Sequence, residues 1–311
     1  MKNEIQRLNE KIEIMNKKIK IHEETLDSYH FLLNNLYLNY DLHPKGILKN
    51  VHDLFQELFD FVDNVCKKYE LEWWLDFGNL LGATRNNEFI PWDDDLDIGM
   101  MRKDCLKFLK VFEDEIKYHG LDDIVNISHE RFIQSKFVVA FTQIAISYNG
   151  GFYAGLDIFP NDYIKSSPEN IEKFFMDITS DYHKEIFKRR ERKDILEEIY
   201  TKYDLSYEYQ KFYIPCIEGV WNINSDCYYF KLFETEKIFP LKRIKFQGKY
   251  YPCPKDCDYY LENLYGSGYD KIPKKVNWHQ RLFNLRKIKG VDKNFEVIIN
   301  RFKKANENFL Y

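Results

Sequence analysis

Phe77-Gly78-Asn79-Leu80-Leu81-Gly82-Ala83-Thr84-Arg85 and, after a short turn, Pro91-Trp92-Asp93-Asp94-Asp95-Leu96-Asp97-Ile98-Gly99 are the stretches from which the rest of this chain is read. The second packs four aspartates, Asp93, Asp94, Asp95 and Asp97, into one short run. Read as a strand, it alternates its side chains between two faces. Asp93, Asp95 and Asp97 then point one way and Asp94 the other. Carboxylates this close repel one another, and burying them unpaired is costly. A divalent cation relieves both, and Mg²⁺ takes hard oxygen ligands from one or two carboxylates plus substrate phosphates. The competing reading is a solvated acidic turn. The flanks, Phe89-Ile90-Pro91-Trp92 and Ile98-Gly99-Met100-Met101, suit a buried strand better.

The first stretch comes after Leu71-Glu72-Trp73-Trp74-Leu75-Asp76-Phe77, a dense aromatic run that reads as a buried strand closed by Gly78. Asn79 to Arg85 has helical character. A helix opening just after a strand offers unpaired N–H groups and a positive dipole end to a phosphate. Glycine after a strand is usually only a turn, so Gly78 and Asn79 gain weight from the carboxylate strand that ends in Asp95-Leu96-Asp97. Arg85 can add a charge-assisted contact.

Working outward, residues 1 to 40 carry apolar positions at alternating spacings of three and four: Ile5, Leu8, Ile12, Met15, Ile19, His22, Leu26, Tyr29, Leu33, Leu36 and Tyr40. That heptad seam predicts one helix roughly 55 Å long, and a stripe so narrow needs a partner. A homodimer through residues 5–40 is expected, with packing back onto the chain's own domain as the alternative. His43-Pro44 and Gly46 end this helix. A second helix runs to about Tyr69, with Leu48, Val51, Leu54, Phe55, Leu58, Phe59, Val62 and Val65 on one face.

Further helices are predicted over 103–118, from Ser167-Pro168-Glu169 to about Asp204, over 259–264 and from Phe295 to Leu310. The charge-rich run 184–198 reads as one solvated helix. Strands are expected at 95–99, 137–146 and 152–159, and a hairpin at 244–251. Residues 205–235 are Tyr-rich and carry no clear period.

Bulk composition sets the class. The 311 residues include 46 Lys+Arg against 50 Asp+Glu, a net charge of −4 that argues against a general nucleic-acid binder. Hydrophobic residues at 44% and charged ones at 31% describe an ordinary globular chain. Aromatics are enriched at 17%, which serves a core or a cage for a cation. No apolar run suits secretion or a bilayer span, so a cytoplasmic protein without a transmembrane segment is expected, with the inner face of the membrane as its furthest reach. Six scattered cysteines agree. Cys253 and Cys257, with Cys216 and Cys227, have the wrong spacing for a zinc knuckle and read as free thiols.

The whole run FGNLLGATRNNEFIPWDDDLDIGMMR resembles the signature of the LicD family of phosphocholine transferases and relatives such as fukutin-related protein. Tyr259-Tyr260-Leu261-Glu262-Asn263-Leu264-Tyr265-Gly266, with Pro273 after it, is similar to a further family feature, so the likeness spans about residues 50 to 275. It implies an α+β fold, a nucleotidyltransferase-like mixed sheet flanked by helices. The expected organisation is a coiled-coil helix over 1–42, a catalytic core over 47–165 and a mostly helical region over 166–311 that completes the acceptor site. The family's turn falls on Gly78-Asn79, where Asn79 replaces the usual Ser or Thr. Its carboxylate pair falls on Asp95 and Asp97. The third carboxylate falls on Asp157, a lone Asp inside an apolar strand; Asp162 reads as a cap for the next segment.

The implied chemistry is Mg²⁺-dependent, with Mn²⁺ the alternative ion. A CDP-alcohol, CDP-choline foremost, would donate its phospho-alcohol to a hydroxyl of a glycan, teichoic-acid or lipid-linked saccharide acceptor and release CMP. Asp95, Asp97, Asp157 and Asp93 would be metal ligands, Asp157 also the general base, and Gly78, Asn79 and Arg85 the diphosphate contacts. Arg102 is a second cationic candidate, with Arg131 and Lys136 more remote. Trp73, Trp74, Trp92, Tyr153 and Trp278 are candidate walls for a trimethylammonium group. Nucleotidyl transfer from an NTP to a protein, RNA or small molecule keeps the same fold. A non-catalytic dimeric scaffold would have no need of Asp95, Asp97 and Asp157.

Overall fold

The computed structural model describes residues 2–128, 131–133, 137–139, 142–188, 190–218, 232–272 and 281–309. Two compact units emerge, one of residues 1–43 with 268–278, the other of 44–267 with 279–311.

The first unit is built on helix α1 (Lys2–Asn39). Its seam residues Ile5, Leu8, Ile12, Met15, Ile19, Leu26, Tyr29 and Leu33 are all exposed. Near its end, Asn34 Oδ1 accepts the Ile272 N–H at 2.9 Å, tying the 268–272 segment to the helix.

The second unit is α+β. It begins with α2 (Ile47–Lys68), whose broad apolar face buries Val51, Leu54, Phe55, Leu58, Phe59, Phe61, Val62 and Val65. Then come β1 (Trp74–Leu75), α3 (Phe77–Asn86), β2 (Leu96–Met101), α4 (Arg102–Tyr118) and β3 (Val125–Ser128). A small ribbon of β4 (Arg131–Ile133) and β5 (Phe137–Val139) precedes β6 (Thr142–Tyr148) and the long β7 (Gly151–Ile164). After these lie α5 (Ile171–Phe187), α6 (Arg192–Lys202), β8 (Leu205–Ser206), β9 (Phe212–Ile214), β10 (Phe233–Glu234) and α7 (Thr235–Ile238). The hairpin β11 (Lys242–Phe246) and β12 (Lys249–Cys253), then α8 (Cys257–Tyr265), α9 (Arg281–Leu285) and α10 (Val291–Glu307) complete it.

The main sheet runs β1-β2-β7-β6-β3. Among the described residues, β2 and β7 pair parallel, and β1, β6 and β3 join antiparallel. Strand β7 is long enough to serve two sets of neighbours. Its first part pairs β6, and Asp162 to Ile164 pair β9, with β8 alongside Tyr163 and Ile164. The sequence on both sides of residue 165 therefore contributes to one sheet. Beyond it, α5 and α6 close a core of Ile164, Phe175, Ile178, Tyr182, Ile195, Ile199 and Ile214.

Three expectations change here. The strand expected over 71–77 is only Trp74–Leu75, because Asp76 caps α3 and ends it. The helix expected over 184–198 is two, α5 and α6, broken around Lys188 to Glu191. Arg190 pairs with Glu185 at 2.8 Å and with Glu198 across the bend, so the charge run braces a corner and does not line one solvated face. Asp162 caps nothing; it is buried within β7. Trp278 and Lys136, with Cys227, lie outside the described residues, as does much of the Tyr-rich stretch before β10.

Candidate metal centre and donor site

The register of the parallel pair builds the centre. Leu96, Asp97 and Ile98 of β2 stand opposite Leu156, Asp157 and Ile158 of β7. Both flanking positions on each strand are fully buried aliphatics. Alternation therefore sends Asp97 and Asp157 to the same open face. Asp95, one residue before β2, joins them, and a carboxylate oxygen from each of Asp95, Asp97 and Asp157 lies within 4.8 Å of the other two. Burial, then repulsion from Asp95, Asp157, Asp93 and Asp76, pushes the Asp97 carboxyl well above the usual carboxylate range. A set of hard oxygens crowded this way suits Mg²⁺ or Mn²⁺. On the far side, Gln143 of β6 lies opposite Asp157 and donates Nε2–H to its Oδ1 at 2.5 Å. That bond restrains the rotamer of Asp157.

Asp93 is placed differently. The strand starts at Leu96, so the expected alternation through 93, 95 and 97 does not apply, and Asp93 stands outside the three-carboxylate group. Its Oδ2 lies where a Cβ on Gly78 would come within 2.6 Å. Gly78 is thus needed for close approach: any side chain there meets the Asp93 carboxylate. The Asp93 carbonyl oxygen is held by His52 Nε2 at 2.8 Å. Asp94, not Asp93, is the deeply buried one of this pair.

Helix α3 starts at the cluster. Asp76 caps it by accepting the Phe77 N–H at 2.8 Å, and Phe77 enters with φ of 41°, a strained value for a bulky residue. Phe77 is held there by its ring against Phe159, with centroids 4.7 Å apart. Asn79 ties the helix to β2: its Oδ1 accepts the Asp97 N–H at 2.6 Å. The amide side chain at this position therefore sets the strand that carries Asp97. Burial pushes the Asp76 carboxyl up to about 7, against hydrogen bonds from Tyr260 and the Phe77 N–H that favour its ionised form. Tyr260 Oη donates to Asp76 at 2.8 Å and receives Trp74 Nε1–H at 3.2 Å. This is how the Tyr259–Gly266 segment reaches the site from far along the chain.

Residues 70–199 match the family model described as LicD/FKTN/FKRP, nucleotidyltransferase domain. Over these residues the chain is similar to a LicD-type nucleotidyltransferase domain. Among curated proteins, the chain is 37% identical over 62 residues to a lipopolysaccharide cholinephosphotransferase LicD of Haemophilus influenzae, a stretch covering 20% of this chain and 23% of that one. It is 39% identical over 49 residues to the human ribitol 5-phosphate transferase FKRP, covering 16% of this chain and 10% of that protein. An uncharacterized protein of Rickettsia typhi is 38% identical over 63 residues, 20% of each chain. The chain thus spans under a quarter of the length of the curated relatives it matches.

Around this stretch the cationic candidates separate. Arg102 is no phosphate ligand: it is 2% exposed and holds Asp162 by Nε at 2.8 Å and Nη2 at 2.7 Å, and Glu218 by both Nη atoms. Its guanidinium is consumed by two buried carboxylates, both of which only the fold brings near. Arg85 lies at the end of α3 away from Gly78 and Asn79, roughly 9 Å along the axis from Asn79 at 1.5 Å per residue. Arg131 belongs to the β4–β5 ribbon, which forms a sheet of its own.

Trp73, Trp74 and Tyr153 are core residues, each at most 1% exposed, so they offer no face to a ligand; Trp92 is exposed. Sequence reasoning passed over Asp76, Gln143 and Arg281, which donates Nη2–H to Asp95 at 3.0 Å. The Asp before Phe77 was readable as a cap. Nothing local marks Gln143 or Arg281.

Among the described residues, Cys66, Cys105, Cys216, Cys253 and Cys257 are free thiols. Among them, too, no helix is long and apolar enough to cross a membrane.

Proposed function

We propose that this chain transfers a phospho-alcohol, phosphocholine foremost, from a CDP-alcohol to a hydroxyl of a cell-surface glycan or its precursor and releases CMP. The observation that carries the reading is the convergence of Asp95, Asp97 and Asp157 within 4.8 Å at the start of α3. The LicD and FKRP relatives, named for transfer of phosphocholine and ribitol phosphate, supply the class of reaction.

Mg²⁺, held by Asp95, Asp97 and Asp157, would neutralise the charge of the donor diphosphate. The protein's own share is positioning and proton transfer. The opening turn of α3 would face its dipole toward the leaving phosphate, and Gly78 leaves room there for the Asp93 carboxylate. Asp157, oriented by Gln143, accepts the proton of the acceptor hydroxyl. The acceptor oxygen forms its bond to the phosphorus bearing the alcohol, the bond from that phosphorus to the CMP oxygen breaks, and CMP departs with the electron pair. Asn79 keeps β2 in place through the Asp97 N–H.

Thermal melts with Mg²⁺ and each of CDP-choline, CDP-ethanolamine, CDP-ribitol, CDP-glycerol and the four NTPs test this. Ligand at about 100 times its dissociation constant adds roughly 2.7 kcal/mol. A Mg²⁺-dependent shift with one CDP-alcohol, lost in Asp95→Asn/Asp97→Asn, is the expected result. A shift with an NTP alone would replace this reading by nucleotidyl transfer.

A further inference from the structure

Arg281 is the first residue of α9, far in sequence from the carboxylates it joins. Its side chain is 10% exposed, and Nη2 donates to Asp95 Oδ1 at 3.0 Å. The Nη1 group is buried and has no hydrogen-bond partner among the described residues. A buried guanidinium with an arm unused is a poor structural device, because the unmade bond costs free energy that a neutral side chain would not incur. The guanidinium also lies over the Phe152 ring, 5.4 Å from its centroid. That contact is independent of Asp95 and holds the cation in place when the carboxylate turns elsewhere.

The surroundings form a cleft of about 400 Å³ lined by Gly150, Gly151, Phe152, Arg281, Asn284 and Ile288. Its closure depends on Gly151, where a Cβ would come within 2.4 Å of Ile288 Cδ1. The start of β7 and the segment after α9 therefore pack tightly, and Arg281 stands at the rim of a space sized for one small ligand. A cation at that rim repels a trimethylammonium group and attracts an oxyanion. Its planar fork matches phosphate, and its contact to Asp95 places it beside the carboxylates.

We infer that Arg281 is a donor-phosphate anchor: one arm rests on Asp95, and the guanidinium takes the phosphate that bears the alcohol as the donor enters beside the Phe152 cleft. The alcohol then lies away from Arg281. The inference rests on the CDP-alcohol reading above and adds to it a binding residue and an orientation for the donor.

Calorimetric binding of CMP, CDP and CDP-choline in the presence of Mg²⁺ tests it on wild type, Arg281→Ala and Arg281→Lys of the full chain. Mn²⁺ binding without nucleotide serves as the control for an intact carboxylate site. Wild type should hold CDP and CDP-choline more tightly than CMP. Arg281→Ala should weaken CDP and CDP-choline by about 10- to 100-fold, leave CMP within about twofold, and bind Mn²⁺ as tightly as wild type or more so, since a competing cation has gone. Arg281→Lys, which keeps the charge without the fork, should fall between.

Equal loss of CMP, CDP and Mn²⁺ binding in both variants would make Arg281 a structural residue and overturn the inference. Unchanged CDP affinity in Arg281→Ala would overturn it while leaving the CDP-alcohol reading intact. Wild type that binds none of the three nucleotides would remove that reading and this one together.

Discussion

Asp97 and Asp157 are direct neighbours across a parallel strand pair of the main sheet, in register on β2 and β7. Neighbouring strands lie about 4.8 Å apart, so two carboxylates on one face cannot avoid each other. Replacing either by Asn removes the repulsion and one candidate metal ligand together. Asp97→Asn should therefore stabilise the metal-free protein, by ~1 kcal/mol, and abolish its stabilisation by Mg²⁺. Transfer activity should fall by about 10²–10³-fold or more. Melting curves in EDTA and in Mg²⁺ check both halves; a variant that still gains stability from Mg²⁺ would contradict the ligand assignment.

Arg102 with Asp162 and Glu218 predicts a different phenotype. Arg102→Ala strips buried Asp162 of its guanidinium and leaves buried Glu218 to Arg192, and should cost about 3–5 kcal/mol in urea unfolding. Lys cannot reproduce the double fork, so Arg102→Lys should rescue little. The pH dependence comes from Glu218, which Arg102 and Arg192 hold down from 4.5 to about 2 despite burial. A depressed carboxyl adds stability above its unfolded value and loses it as pH falls. The advantage of wild type over Glu218→Gln should be full above pH 4.5 and gone by about 2. An advantage that persists at the acid end would show that Glu218 acts through packing and not charge.

Gly78 and Gly82, both in α3, should fail in opposite ways. A Cβ on Gly82 comes within 2.4 Å of the Glu88 carbonyl oxygen, a backbone atom with nowhere to move. Gly82→Ala should destabilise by about 1–3 kcal/mol. A Cβ on Gly78 meets only the Asp93 side chain. Gly78→Ala should melt within a few degrees of wild type yet lose donor affinity by about tenfold, because the displaced carboxylate intrudes on the α3 N-terminus. Circular dichroism and nucleotide titration separate the two.

The exposed seam of α1 predicts a homodimer. Ile5, Leu8, Ile12, Met15 and Ile19 are each at least half exposed, which a lone helix in water does not sustain. Sedimentation of the full chain should give about twice 37.8 kDa, and deletion of residues 1–40 a monomer. A full-length mass of 37.8 kDa would rule the dimer out.

The sequence alone determined the features that depend on neighbours along the chain. The long helix α1 comes from its heptads, α2 from its apolar face, the hairpin β11–β12 from Gly248 at its turn, and the family signature from residues 77–102. A period or a motif is a local property and needs no partner to be read. Only the tertiary structure decided which polar residues meet. Arg102 sits directly after β2 and still turns to Asp162 and Glu218, because the fold buries both carboxylates against it. Arg281, 186 residues from Asp95, ends up on it. Asp157 gained its place from register and Gln143 from the antiparallel strand next to it. Such pairings are set by strand order and by which carboxylate needs a partner once water is gone, and neither is written in any single stretch of the chain.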